Sequence, residues 1–111
     1  MTNPIDLKHL DLYVVGDRAL LDEILSIFIE QAKMLSAELG HTSSDETWRE
    51  AAHKLKGAAR GVGAWALGDF AEAAEKASND GPEAKRELAA QVKAAASEAV
   101  EFATTVRDRP V

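Results

Sequence analysis

Apolar residues recur along this chain at alternating steps of three and four, in four separate segments. In the first they fall at Leu21, Leu25, Phe28, Ala32, Leu35 and Leu39, and in the second at Trp48, Ala52, Leu55, Ala59 and Val62. A shorter third series runs Leu67, Phe70, Ala74, Ala77, and the last runs Leu88, Val92, Ala95, Ala99, Phe102, Val106. Such steps line one face of a helix, whereas a half-buried strand needs alternation in twos. Each segment is therefore predicted to be an amphipathic helix.

Start and stop residues separate the segments. Gly16-Asp17 offers an N-cap to the first long helix and Gly40 a C-terminal stop, while Ser43 with Glu46 three residues on forms a capping box for the second. Gly61 and Gly63 bracket a tight turn, and Asp80-Gly81-Pro82 ends the third helix and opens the fourth with proline at its first position. Ahead of these, "IDLKHLDLYVV" reads as a short additional helix, and the chain frays near Arg109-Pro110. Short connections make consecutive helices antiparallel neighbours. The predicted fold is all-α, an antiparallel up-down four-helix bundle with a short additional N-terminal helix. At 111 residues, positions 1–111 make one domain with one core.

Composition narrows the partners. A net charge of −6 argues against nucleic acid or an anionic membrane surface, both of which reward clustered positive charge. Cysteine is absent, which removes disulfides and zinc–thiolate sites. The polar start "MTNPIDLKHLD" carries no apolar signal core, and no apolar run approaches the length of a membrane span. A cytoplasmic protein is expected, and a monomer, since such a bundle buries its apolar stripes internally.

One stretch breaks the acidic trend. Between Ala51 and Gly68 there is no Asp or Glu, where the chain average would place about three. Within it His53 follows the core position Ala52 by one residue, a rotation of roughly 100°, which turns its ring onto the flank of the helix. Residues three, four and seven away share that flank: Arg49, Lys56, Gly57 and Arg60. Cations repel a protonated imidazole but suit one that carries negative charge, and a phosphoryl group is the obvious load. Glycine inside a helix costs about 0.5–1 kcal/mol relative to alanine, so Gly57 beside the histidine reads either as clearance for an approaching group or as close helix contact. His9 and His41 lack such neighbours and read as ordinary side chains.

A hairpin centred near Ala64 would set His53 level with Glu75 and Lys56 level with Glu72. Glu75 also follows a core position by one residue, so its carboxylate is placed to accept from one ring nitrogen and leave the other as the nucleophile.

The run "AHKLKGAARGVGAWAL" resembles the signature of histidine-containing phosphotransfer (Hpt) domains of two-component phosphorelays, at Ala52, His53, Leu55, Lys56, Gly57, Gly63, Ala64 and Leu67. Upstream, "GDRALLDEILSIFIEQA" is similar to that family's second helix. The resemblance implies that His53 is the phospho-acceptor, Lys56 contacts the phosphoryl group, Gly57 gives clearance and Glu75 holds the other ring nitrogen. Some members carry a hydroxyl residue where Ala58 stands. The resemblance assigns no role to Arg60, which rests on the electrostatic argument alone. Implied partners are the receiver domain of a response regulator and a hybrid histidine kinase, the receiver supplying Mg²⁺ and this chain no cofactor of its own. With no Gly-rich phosphate loop, ATP-dependent kinase activity is not expected. Leu10 and Val14 of the short first helix are expected to form the docking patch.

Two other readings compete. Glu50-Ala51-Ala52-His53 and Glu38-Leu39-Gly40-His41 share the E-x-x-H spacing of di-metal carboxylate bundles, but Arg49, Lys54 and Lys56 would repel a divalent ion, and His41 is expected in a loop. A helical adaptor that binds receiver or kinase domains without being phosphorylated is the stronger rival.

Overall fold

In the computed structural model, residues 3–41 and 44–109 are described, and they form five helices: α1 (Leu7–Val14), α2 (Arg18–His41), α3 (Asp45–Val62), α4 (Trp65–Lys76) and α5 (Pro82–Arg107). The four long helices touch in a closed circuit, α2 on α3, α3 on α4, α4 on α5 and α5 on α2, with α1 against α2. Among the described residues none lies in a strand, and no helix is long and apolar enough to cross a membrane.

Most of the periodic positions form the core. Leu25, Phe28, Leu55, Leu67 and Val92 lie at its centre, interleaved with buried alanines such as Ala52, Ala59, Ala74 and Ala99. Small side chains let helix axes approach closely, so alanine enrichment is a packing feature here. Two stripes are rotated from the expected ones. In α4, Phe70 is exposed at the edge while Gly68 and Ala71 face inward. In α5, Ala96 and Ala103 take the central places, and Leu88, Ala95 and Phe102 are half-buried beside them. Adjacent apolar positions satisfy the period equally well, and the smaller residue occupies the tighter seam.

Several boundaries shift. Asp17 caps α2 as expected, its carboxylate accepting from the Leu20 amide at 3.1 Å. Gly40 does not stop that helix; it lies within the last turn, which runs through His41. His41 is thus helical and exposed, not in a loop. The cap of α3 is Ser44, which accepts from the Thr47 amide, one residue later than the box built on Ser43, which lies outside the described residues. Gly61 remains helical, and Gly63 alone turns the chain, with φ +83°. Gly81-Pro82 opens α5 as expected.

The expected docking role of Leu10 and Val14 is corrected outright. Both are buried, 1% and 4% exposed, because α1 uses them to seat itself on the bundle. Asp6 caps α1 by accepting from the Lys8 and His9 amides, and its own amide donates to the Gly63 carbonyl at 2.9 Å. Arg18 donates to the carbonyls of Val106, Arg107 and Arg109, satisfying the open end of α5.

Gly61 and Gly63 should respond to alanine with opposite signs. A Cβ at Gly63 would sit 3.0 Å from the Asp6 carbonyl oxygen on a left-handed backbone, whereas one at Gly61 meets nothing within 4 Å. In urea unfolding, Gly63→Ala is expected to lose about 1–3 kcal/mol and Gly61→Ala to gain about 0.5–1 kcal/mol. Equal effects would show that the turn imposes no special backbone demand.

Candidate functional site

His53 projects from the middle of α3 with its side chain 66% exposed. Ala52 and Leu55 are fully buried, and this anchored face turns the neighbouring position outward. Across the α3–α4 connection stands Glu75, whose Oε2 lies 2.9 Å from His53 Nδ1. Its other oxygen, Oε1, accepts from Lys56 Nζ at 2.6 Å. One carboxylate thus holds the histidine and the lysine together.

The direction of charge follows from this pairing. The hydrogen bond from the Lys56 ammonium, opposed by partial burial and reinforced by the bond with His53, holds the Glu75 carboxyl below the usual carboxylate range. An ionised carboxylate only accepts, so Nδ1 carries the hydrogen of the neutral ring, and Nε2 keeps its lone pair. The site is therefore an exposed imidazole with a defined tautomer.

Lys56 meets Glu75 and not the expected Glu72, and Arg60 takes Glu72 instead at 3.2 Å, with Asp69 at 3.7 Å. Side chains on a helix lean toward its N-terminus. Lys56 leans back toward the level of His53, and Glu75 leans the opposite way along its own helix, so the two meet between levels. Arg60 is in consequence neutralised by α4 carboxylates, and the expected trio of cations around the ring is reduced. Gly68 makes room for that arm, since a Cβ there would sit 3.0 Å from Arg60 Cγ. Gly57 is exposed, helical and free of close neighbours, so no contact within the chain requires it.

Two supports were not singled out in the sequence. Trp48 Nε1 donates to the Ala74 carbonyl at 2.6 Å, pinning the last turn of α4 beside Glu75. Ser78 donates its hydroxyl to the Glu75 carbonyl and extends the hold on that turn. An indole in a core stripe needs a partner for its N–H, a signal that a polar contact was due but not where.

Glu50 is exposed, and among the described residues no three His, Asp or Glu side chains group as metal ligands. His9 is half-buried between the rings of Tyr13 and Trp65, with centroids 5.2 and 4.9 Å away.

The family model of the Hpt domain matches residues 23–102, which include all of α3 and α4. The chain belongs to the Hpt domain family. Hpt domains interact with receiver and kinase domains in phosphorelays, and a phosphotransfer role in two-component signalling follows from the membership. Comparison with curated proteins and with solved structures found no match. Helix α1 and the first turn of α2, with Arg18, lie outside the matched Hpt span.

The carboxylate's role is testable through linkage. A lowered folded-state pKa means that Glu75 contributes stability above its ordinary value of 4.5, and that this is lost as pH falls through the lower folded value. The stability difference between the protein and Glu75→Gln, measured by urea unfolding, should therefore shrink as pH is lowered from 7 toward 3. Nitrogen NMR of the ring should report the Nδ1–H tautomer, and a mixture in Glu75→Ala. A dominant Nε2–H form in the unaltered protein would overturn the arrangement.

Proposed function

We propose that this Hpt domain is a phosphoryl carrier whose acceptor is His53. The observation that carries the reading is an exposed imidazole whose Nδ1 is held by an ionised carboxylate, leaving Nε2 as the nucleophile. A receiver domain presents an aspartyl phosphate. Nε2 bonds to phosphorus, the bond from phosphorus to the aspartyl oxygen breaks, and the carboxylate departs with its electron pair. Positive charge then develops over the ring and its Nδ1–H, facing the Glu75 carboxylate, which stabilises it in place. The reverse displacement hands the group to a second receiver aspartate. Nothing is oxidised or reduced, and no proton need leave the ring.

Each neighbour takes a role in this reading. Lys56 keeps Glu75 ionised and is one turn from the ring, close enough to swing toward an arriving phosphoryl group. Gly57 leaves the path to Nε2 open. Arg60, tied to Asp69 and Glu72, contributes through the field of the flank at most. Mg²⁺ comes with the receiver, and a hybrid histidine kinase is the source further upstream. The antiparallel up-down order of the long helices belongs to the same reading. It is supported by pairs such as His53 with Glu75 and Arg60 with Asp69, which run in opposite order along α3 and α4. A cytoplasmic monomer fits the acidic, cysteine-free composition.

The decisive experiment is incubation with a receiver domain phosphorylated from a labelled kinase. Acid-labile, base-stable label is expected on the protein and absent from His53→Gln. Label persisting on that variant refutes the assignment. In Lys56→Ala, transfer is expected to slow by about tenfold or more with helicity unchanged by circular dichroism. Unfolding of that variant would make the lysine structural.

A further inference from the structure

We propose that Trp48, with Ser78 beside it, is a positioning residue for phosphoryl transfer: it fixes the last turn of α4, and through that turn the carboxylate that sets the state of His53; this rests on the relay reading above. The first observation is how α4 ends. Helix α3 closes on the left-handed Gly63, but the cap of α4 is Ala77 at φ −91°, with neither a glycine nor a left-handed turn. The last carbonyls of a helix have no regular partner. Here the Ser78 amide, which an unbroken ladder would give to Ala74, turns to the Glu75 carbonyl at 3.3 Å. Side chains complete the set. The Trp48 indole N–H donates to the Ala74 carbonyl at 2.6 Å, and the Ser78 hydroxyl to that of Glu75.

Burial makes both donors exacting. Trp48 is 2% exposed, and Ser78, at 4%, is the one buried polar side chain among the described residues. A buried donor that loses its acceptor costs more than the bond itself is worth, so each holds its carbonyl in place. The indole is also held from α5. Lys85 sets its ammonium 5.3 Å from the centre of the Trp48 ring and pairs with Asp45 at the start of α3.

The place of this bond ties it to the chemistry. A core position needs only an apolar side chain, and a phenyl ring would fill most of the space; the indole N–H adds the tie to Ala74. That tie joins the two helices that carry the reacting ring and the group that orients it. Trp48 stands five residues before His53, about 7.5 Å along α3, and Ala74 immediately precedes Glu75. Helix α3 thus grips two successive residues of α4, one at the backbone and one at the carboxylate. The carboxylate's own partner, Lys56, sits on a long flexible arm, so it follows Glu75 and does not fix it. Without the backbone tie the last turn shifts, Glu75 moves with Lys56 away from Nδ1, and the tautomer is no longer set. Attack needs the lone pair on Nε2, so the loss falls on the reacting step and not on binding of the donor.

The test compares Trp48→Phe and Ser78→Ala with Val92→Ala, which opens a cavity at a buried position of α5 and removes no hydrogen bond. The probe is phosphoramidate, a small donor used on the full chain: Nε2 bonds to phosphorus, the P–N bond breaks, and ammonia leaves with the electron pair. In Trp48→Phe, nitrogen NMR is expected to show the single Nδ1–H form of His53 giving way to a mixture. The kcat of labelling should fall by roughly tenfold, with KM for phosphoramidate and helicity unchanged. Ser78→Ala should move both readings the same way by a smaller amount, and it decides alone if Trp48→Phe does not fold. Val92→Ala should unfold at lower urea with tautomer and kcat unaltered. Unchanged tautomer and kcat in Trp48→Phe and Ser78→Ala, with His53 labelled normally, overturns the positioning role and leaves the relay standing. An equal fall of kcat in Val92→Ala makes the effect one of general stability and overturns it as well. No label at His53 in the unaltered protein overturns the relay and this proposal together.

Discussion

The site depends on one carboxylate with two bonds. Glu75 gives Oε1 to Lys56 and Oε2 to His53, and neither bond alone would set the state of the ring. The lysine lowers the carboxyl's proton affinity, the ionised carboxylate fixes the hydrogen on Nδ1, and the lone pair on Nε2 follows. What fixes Glu75 is the end of α4. Its peptide carbonyl takes the Ser78 hydroxyl, the preceding carbonyl takes the Trp48 indole, and the register back to α3 is set by the turn at Gly63. A core tryptophan and a left-handed glycine thus reach the chemistry through hydrogen bonds of the backbone.

Stability is not what these polar contacts chiefly supply. An exposed ion pair is worth about 0–1 kcal/mol, and the ring is mostly in water. The apolar seams of α2–α3 and α3–α4 hold the bundle, which leaves the His53–Glu75–Lys56 group free to be arranged for reaction. The acid-free stretch of α3 fits the same division. Its cations are distributed unequally: Lys56 and Arg60 are bound by α4 carboxylates, while Lys54 faces solvent, as does Arg49 just before the stretch. In a chain of net charge −6, this flank is a locally less acidic part of the surface.

The helices and the His53–Glu75 pairing were legible in the sequence because both follow from periods. A 3.6-residue turn fixes the core face, and counting outward from Ala64 fixes the level across the hairpin. What counting missed was set by side-chain direction and size. Lys56 leans a level away from Glu72, and Phe70 yields the seam to Ala71 although either fits the period. Leu10 and Val14 were apolar residues on a short helix, and no pattern distinguishes docking outward from seating inward. Glycine was read as a stop at Gly40 and Gly61, yet only Gly63 takes the left-handed conformation that ends α3.

Those glycines show how one residue type serves different constraints within a few turns. Gly63 is required by its backbone angle and by the Asp6 carbonyl pressed against it, and Gly68 by the arm of Arg60. Gly57 and Gly61 are required by neither. Both are exposed helical positions in open space, and Gly57 lies one turn from His53. The α4 side of α3 sets the state of the imidazole through Glu75 and Lys56, while the ring itself remains open to solvent.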